Sequence, residues 1–208
     1  RWRDLFNSGF SSYFQNLRHV YRFLTSLDFH IRVFLRGKHF EVNPIDLFGL
    51  EALRVFEPAV YERLAGSKRI LTRQESHYIF GEIKQEVVDV AITQILSYAP
   101  EERRDKVRQM LQIIFPPVTN GGVGGRYAQD WLRDARVCHS DLFDKYFTLV
   151  LPENDLSQAE LDHLVGLAKG RNEFVRQCEA LQKRGLLKTA FDRLDALKDE
   201  ISTDDLPS

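Results

Sequence analysis

Apolar residues recur at a spacing of three or four along most of the chain, which is the period of one face of an α-helix. The longest such pattern begins at residues 15–24 (QNLRHVYRFL). It predicts a long amphipathic helix that ends near Gly37, with Ser11 or Ser12 as its N-cap. The apolar face predicted for this helix consists of Leu17, Val20, Tyr21, Leu24, Leu27, Ile31, Phe34 and Leu35.

Arginines form a second stripe along the same helix. At 100° per residue, four of them fall within about 80° of one another, and these are Arg18, Arg22, Arg32 and Arg36. Guanidinium groups are always charged and fork-shaped, so a cluster near a helix start can bind a phosphate. A solvated face, or ion pairing with the carboxylates of a neighbouring helix, explains the same pattern.

Start and stop signals mark further helices. Asn43 and Pro44 predict an N-cap followed by proline at the first helical position, and this helix is broken at Pro58. A capping box that begins at Thr72 (TRQE) predicts a helix that runs to about Tyr98. These signals indicate that helices follow one another closely through the first half of the chain.

The remaining signals continue the helical pattern. A helix from Pro100 to Phe115 completes a hairpin with the preceding one, and a second capping box at residues 157–160 (SQAE) opens the C-terminal helices. Residues 148–151 are the one short candidate strand. The predicted fold is therefore all-α, a multi-helix bundle with a lid-like region and a C-terminal helical extension. Its predicted parts are a lid-like helical segment (1–70), a helical hairpin (71–118), a glycine-rich linker (119–125) and a C-terminal helical segment (126–208).

Composition supports a packed globular protein. The 208 residues are 43% hydrophobic and 12% aromatic, which is enough for a buried core. The formal charge of −1 favours no nucleic-acid partner for the chain as a whole, although residues 1–40 are basic. Cys138 and Cys178 lie far apart without metal-ligand spacing, which is typical of a reduced, cytoplasmic protein. No apolar run approaches the roughly 18 residues of a membrane span.

Motifs for chemistry are lacking in the sequence. The six histidines form no HxxxH or HExxH pattern, so no metal site is predicted. Neither a G-x-S-x-G motif nor an acid–base pair of carboxylates emerges, so no catalytic residue is predicted. The glycine-rich residues 120–125 have no Gly-Lys-Ser/Thr ending and are therefore not a Walker A loop. We expect a mobile connector there, with a phosphate cradle as the less favoured alternative.

Three stretches resemble a known family, the KAP family of P-loop NTPases. Residues 16–25 (NLRHVYRFLT) are similar to the R-D-V-K-R-F-L-N segment that follows its nucleotide-binding core. Residues 43–61 (NPIDLFGLEALRVFEPAVY) resemble the family's V-N-P-x-D-L-x-x-x-E-A-L-R-V-F-x-P-x-V-Y run, and residues 143–147 (FDKYF) resemble a later F-x-x-Y-F segment. The resemblance covers about residues 13–72 and 136–160.

Both arginines of the first segment, Arg18 and Arg22, are retained, while its local turn residues differ. The departures from the family pattern are Leu17, His19, Tyr21 and Thr25. The resemblance implies that the chain is the C-terminal helical regulatory region of a KAP-like NTPase. The Walker motifs, and the ATP with magnesium that they bind, would belong to an upstream P-loop domain of the same polypeptide. The chain begins at Arg1 within what resembles mid-domain sequence, so we expect an excised fragment.

In related ATPases an arginine of the helical lid reaches the γ-phosphate, and the resemblance implies this role for Arg18, with Arg22 as second choice. Coupling to a partner, and a role in prokaryotic anti-phage defence, are further implications of the resemblance. Two alternatives stay open. One is an independent module that binds protein or nucleic acid, in which Phe29 beside the arginines stacks on a base. The other is a helical domain that forms homo-oligomers.

Overall fold

A computed structural model describes residues 1–36, 38–73, 83–119, 124–148, 155–167 and 171–197, and it confirms the all-α class. In these residues the α-helices are α1 (Trp2–Ser8), α2 (Leu17–Phe34), α3 (Pro44–Phe56), α4 (Pro58–Ala65), α5 (Lys68–Leu71), α6 (Gln85–Leu96), α7 (Arg104–Ile114), α8 (Gly124–Arg133), α9 (Ser140–Thr148), α10 (Gln158–Gly166), α11 (Arg171–Lys183) and α12 (Leu187–Leu197). Short 3-10 helices span Phe10–Tyr13, Glu101–Arg103 and Pro116–Val118. Two-residue strands, β1 (Leu35–Arg36) and β2 (His39–Phe40), pair antiparallel.

Helix α2 is capped differently from the prediction. Its N-cap is Asn16, whose side-chain oxygen accepts a hydrogen bond from the backbone N–H of His19 at 3.0 Å. The predicted caps, Ser11 and Ser12, lie inside a 3-10 helix instead. Asparagine at this position satisfies one of the free N–H groups of the first turn as well as serine would.

The buried face of α2 is rotated from the predicted one. Leu17, Tyr21 and Leu24 are 73%, 68% and 49% exposed, although the spacing assigned them to the core. Apolar residues surround more than half of this helix, so the contact with α3 decides which face is buried. The side chains that α2 buries are Phe23, Leu27, His30 and Phe34. The helix ends there; the predicted stop, Gly37, lies outside the described residues.

Helix α3 lies at the centre of the main core and contacts α1, α2, α4 and α7. Its predicted N-cap is confirmed, because the Asn43 side chain accepts hydrogen bonds from the N–H groups of Ile45 and Asp46 at 3.1 and 3.3 Å. Gly49 permits close approach of α7, since a Cβ atom there would lie 2.6 Å from Cδ1 of Ile114. The central helix is therefore fixed both by its cap and by tight packing.

A buried ion pair holds the start of α3. Nε of Arg136 lies 2.7 Å from Oδ2 of Asp46, and the two side chains are 4% and 0% exposed. The same oxygen accepts a hydrogen bond from the N–H of Val137 at 3.0 Å. Nη2 of Arg136 donates to the carbonyl of Ile113 at the end of α7, at 2.7 Å. The Asp46–Arg136 pair thus joins the start of α3, the end of α7 and the segment that follows α8.

The helix predicted from Thr72 to Tyr98 is too long. Helix α6 runs only from Gln85 to Leu96, and Thr72 caps the C-terminal end of α5, where its hydroxyl donates to the carbonyl of Lys68 at 2.9 Å. The remainder of the predicted capping box, at residues 74 and 75, lies outside the described residues. Thr72 also has helical backbone angles (φ −97°, ψ −7°), whereas an N-cap residue is typically extended.

The C-terminal helices build a smaller core of their own. The predicted capping box of α10 is confirmed, since the N–H of Glu160 donates to Oγ of Ser157 and the N–H of Ser157 donates to the Glu160 carboxylate. The buried residues of this core are Leu156, Leu161, Leu164, Leu181 and Ala190.

The strand predicted at residues 148–151 is described only at its first residue. Thr148 ends α9, and residues 149–151 lie outside the described residues. Gly124 begins α8, while residues 120–123 of the predicted linker also lie outside.

Buried charges connect the smaller core to the larger one. Lys145 on α9 lies 2.6 Å from the Asp155 carboxylate and 3.7 Å from that of Glu41. Glu41 also accepts a hydrogen bond from the N–H of Gln158 at the start of α10, at 3.0 Å. These contacts fix α10 against the turn that precedes α3.

The buried ion pair predicts a large difference between two arginine substitutions. Arg136→Met leaves the buried Asp46 carboxyl without its cationic partner inside the core, and we expect it to lower the free energy of unfolding by about 3–5 kcal/mol. Arg32→Ala removes an exposed ion pair with Asp28 and should lower it by less than about 1 kcal/mol. Urea unfolding followed by circular dichroism measures both. A loss at position 136 no larger than that at position 32 would contradict this account of the core.

Candidate functional site

An open pocket of about 850 Å³ lies where α2 crosses the C-terminal half of α3. Both sequence-predicted site residues, Arg18 and Arg22, line it from α2. A third guanidinium, that of Arg54, lines it from α3. The other lining residues are Tyr21, Thr25, Ser26 and Val55. The structure therefore brings three arginines from two helices to one pocket.

The two predicted arginines lie near the N-terminal end of α2 with exposed side chains. Within the part of the chain that the structure describes, the side chains of Arg18 and Arg22 make no ion pair and no hydrogen bond. The first turn of α2 carries no acidic residue. Because the N-terminal end of a helix is the positive end of its dipole, the cation of Arg18 in the first turn is in an unfavourable position that a bound anion would relieve.

The other two arginines of the predicted stripe do not join this pocket. Arg32 forms an exposed ion pair with Asp28 one turn earlier, with 2.9 Å between Nε and Oδ2. Arg36 lies beyond the helix, in β1. The solvated-face interpretation of the stripe thus fits Arg32, although its ion-pair partner lies on the same helix and not on a neighbouring one. Arg18 and Arg22 differ from Arg32 because they line the pocket.

Arg54 is held in place by four groups. Its Nη2 donates to both oxygens of Glu51, at 3.0 and 2.9 Å, contacts Oγ of Ser26 at 3.2 Å and also contacts Nδ1 of His30. Its guanidinium carbon lies 6.0 Å from the centre of the Tyr61 ring. The only local signal for this arrangement is the i,i+3 spacing of Glu51 and Arg54 on α3. The spacing does not reveal that the pair faces α2, so sequence reasoning did not assign Arg54 to the site.

His30 lies beneath the Glu51–Arg54 ion pair and is 2% exposed. Its Nδ1 lies 2.7 Å from the carbonyl oxygen of Ser26 and 3.1 Å from Oε2 of Glu51, and it also contacts Nη2 of Arg54. Nε2 is buried without a partner among the described residues. A protonated ring carries an N–H on both nitrogens, and the one on Nε2 would be unsatisfied there. Burial also lowers the pKa of His30 below its usual value, so the neutral ring is favoured.

The charges around the pocket do not balance. Three guanidinium groups line it, and Glu51 neutralises one of them, which leaves an excess of two positive charges. With His30 neutral, no further cation is added from below. Guanidinium groups bind phosphates in a forked, charge-assisted geometry, so the pocket suits a phosphate dianion. Besides the arginines, its described lining residues supply the hydroxyls of Tyr21, Thr25 and Ser26.

A second depression of about 410 Å³ adjoins the pocket and shares Arg22 with it. Its other guanidinium, that of Arg103, already lies 3.0 Å from the buried carboxylate of Glu57, and the Tyr13 hydroxyl donates to the same carboxylate at 3.2 Å. Burial raises the pKa of Glu57, an effect that Arg103 opposes. This cation is therefore compensated internally and adds little to anion binding.

Other candidate chemistry does not converge on a site. Among the residues that the structure describes, no cluster of three or more potential metal ligands occurs, and no helix is long and apolar enough to cross a membrane. Cys138 is buried, and burial raises the pKa of its thiol to about 12, which makes it unreactive. Phe29 is exposed but is not among the residues that line the arginine pocket, where Tyr21 is the aromatic residue.

Comparison with known proteins identifies no relative. No protein-family model matches the chain, and neither a curated protein nor a solved structure matches it significantly. The resemblance to the KAP family therefore stays a prediction from the sequence.

The buried histidine predicts a pH dependence of stability. The pKa of His30 is lower in the folded protein than the value of 6.5 for an unfolded chain. The stability that the neutral His30 contributes is therefore complete above about pH 6.5, and it is lost as the pH falls below that value. His30→Asn keeps an N–H donor without a titratable group. Between pH 7.5 and 5.5 the free energy of unfolding of the unmodified protein should fall more than that of the variant, by on the order of 1 kcal/mol.

Urea unfolding at the two pH values measures this difference. The pKa of His139 is also lowered by burial, but His139 is present in both proteins and cancels in the comparison. An identical pH dependence in the two proteins would show that His30 is not held neutral by the fold.

Proposed function

We propose that this chain is the C-terminal helical regulatory region of a KAP-like P-loop NTPase, in which Arg18 and Arg22 contact the phosphates of a nucleotide held by a neighbouring domain of the same polypeptide. The observation that carries the proposal is that both arginines line one pocket with an excess of positive charge and have no anionic partner among the described residues. The family-like sequence around them supports the same assignment.

In this proposal the neighbouring domain supplies the parts that bind and hydrolyse ATP. These are the backbone cradle for the phosphates, the lysine and the magnesium ion. The α2 arginines add charge-assisted hydrogen bonds to the terminal phosphate, and these bonds are lost when that phosphate leaves. Helix α2 is then free to move relative to the nucleotide, and a partner bound to the helical region can sense this movement.

The exposed apolar residues of α2 fit the same arrangement. Leu17, Tyr21 and Leu24 lie beside the arginines on the solvent side of the helix. We assign this surface to the neighbouring P-loop domain, since contact there would bring Arg18 and Arg22 towards the nucleotide. Burying these side chains would also remove apolar area from water and stabilise the closed arrangement.

We also place the protein in the cytoplasm. Cys138 and Cys178 are both free thiols, as is usual in a reducing compartment. By resemblance to the family, a role in prokaryotic anti-phage defence is part of the proposal, with the helical region coupling the nucleotide state to a partner.

The proposal predicts a specific loss of NTPase activity. In the intact polypeptide, Arg18→Ala should lower the rate of ATP hydrolysis on the order of 10²-fold or more, because a cation that stabilises the phosphate charge is removed. Arg22→Ala should have a smaller effect. Arg32→Ala is the matched control, since Arg32 lies on the same helix but is paired with Asp28. Steady-state phosphate release measures all three.

The coding sequence that precedes Arg1 provides the first check, and it should contain a G-x-x-x-x-G-K-[ST] motif. Unchanged turnover and unchanged nucleotide affinity in Arg18→Ala, with the Walker motif present, would reject the role of this arginine. Absence of any nucleotide-binding motif from the polypeptide would reject the proposed function itself.

A further inference from the structure

Arg54 reaches the pocket from a different helix than the two predicted phosphate-binding arginines, and its donors are only partly used. A guanidinium carries five N–H donors. The contacts of Arg54 with Glu51 and Ser26 all involve Nη2, which leaves Nε and Nη1 without a partner among the described residues. Because Arg54 lines the pocket, its Nε and Nη1 donors are available to a ligand there.

A buried carboxylate, that of Glu51, anchors the Arg54 side chain. The carboxylate is 3% exposed, whereas the Arg54 side chain is 21% exposed, so a buried anchor fixes a guanidinium that still reaches the surface. Arg18 and Arg22 have no such anchor within the described part of the chain. A ligand that binds Arg54 therefore loses less side-chain entropy than one that must immobilise a free arginine.

We propose that Arg54 is a third phosphate-binding residue and that the pocket takes the terminal phosphates of a polyphosphate chain, with Arg54 as its fixed point and Arg18 and Arg22 closing from α2. This inference rests on the proposed function and names the ligand chemistry of the same site. The excess of two positive charges matches a terminal phosphate dianion, and the hydroxyls of Thr25 and Ser26 line the same space. The volume of about 850 Å³ exceeds the need of a single phosphate group.

Titration of the 208-residue chain with inorganic tripolyphosphate tests the inference. Chemical shifts of the backbone amides, recorded by nuclear magnetic resonance at low and at high salt, measure the binding. We expect Arg54→Ala to weaken binding on the order of 10-fold, the range of a hydrogen bond to a charged group, and to do so at least as strongly as Arg18→Ala. Removing Arg54 leaves Glu51 without its cation, so Arg54→Lys is the second variant. It keeps the charge but loses the fork, and should recover less than half of the lost binding free energy.

Arg32→Ala is again the matched control and should bind as the unmodified chain does, within twofold. The inference is overturned if the chain does not bind tripolyphosphate at millimolar concentration, or if Arg54→Ala binds as well as Arg32→Ala while Arg18→Ala binds less. In the second case the role of Arg18 in the proposed function survives. It is also overturned if a 12-nucleotide oligothymidine binds more tightly than tripolyphosphate, because the pocket would then serve a nucleic-acid backbone. The proposed function is tested separately, by the rate of ATP hydrolysis of Arg18→Ala in the intact polypeptide.

Discussion

The buried ion pair between Asp46 and Arg136 is the constraint on which the rest of the structure depends. A charge inside a protein core is tolerated only when its partner is held in good geometry, so this pair fixes the positions of the elements that carry it. The N–H of Asn43, one turn of chain earlier, lies 2.7 Å from the Tyr146 hydroxyl, which donates to the carbonyl of Ala135. The start of α3 is thereby locked to the segment after α8 and to α9.

The position of α3 in turn determines the arginine pocket. Helix α3 carries Glu51 and Arg54 on the side that meets α2, and there a polar layer with Ser26 and His30 interrupts an otherwise apolar interface. Polar groups buried at such an interface allow fewer relative positions of two helices than apolar side chains do, because each donor needs its acceptor. The pocket therefore has one fixed wall, on α3, and one wall of exposed arginines, on α2. A ligand bound between them couples the two helices.

Local signals in the sequence were sufficient for the caps of α3 and α10 and for the fold class, but not for the cap of α2. Asn43 and Ser157 cap their helices as the sequence predicts, because a cap is decided by neighbours within four residues. The rotation of α2 could not be predicted in this way, since apolar residues surround much of the helix and α3 selects the buried face. The partner of Asp46 lies 90 residues away, and no periodicity indicates such a pair. The spacing and the resemblance selected Arg18 and Arg22 as candidates, whereas Arg54 meets them at the pocket only through the tertiary contact.

The central claim is that the α2 arginines of this chain contact nucleotide phosphate. A crystal structure of the intact polypeptide with magnesium and a non-hydrolysable ATP analogue tests it most directly. The account predicts a guanidinium nitrogen of Arg18 or Arg22 within about 3 Å of an oxygen of the terminal phosphate, with Leu17 and Tyr21 covered by the nucleotide-binding domain. A nucleotide whose phosphates lie far from α2, with both arginines facing solvent, would contradict it.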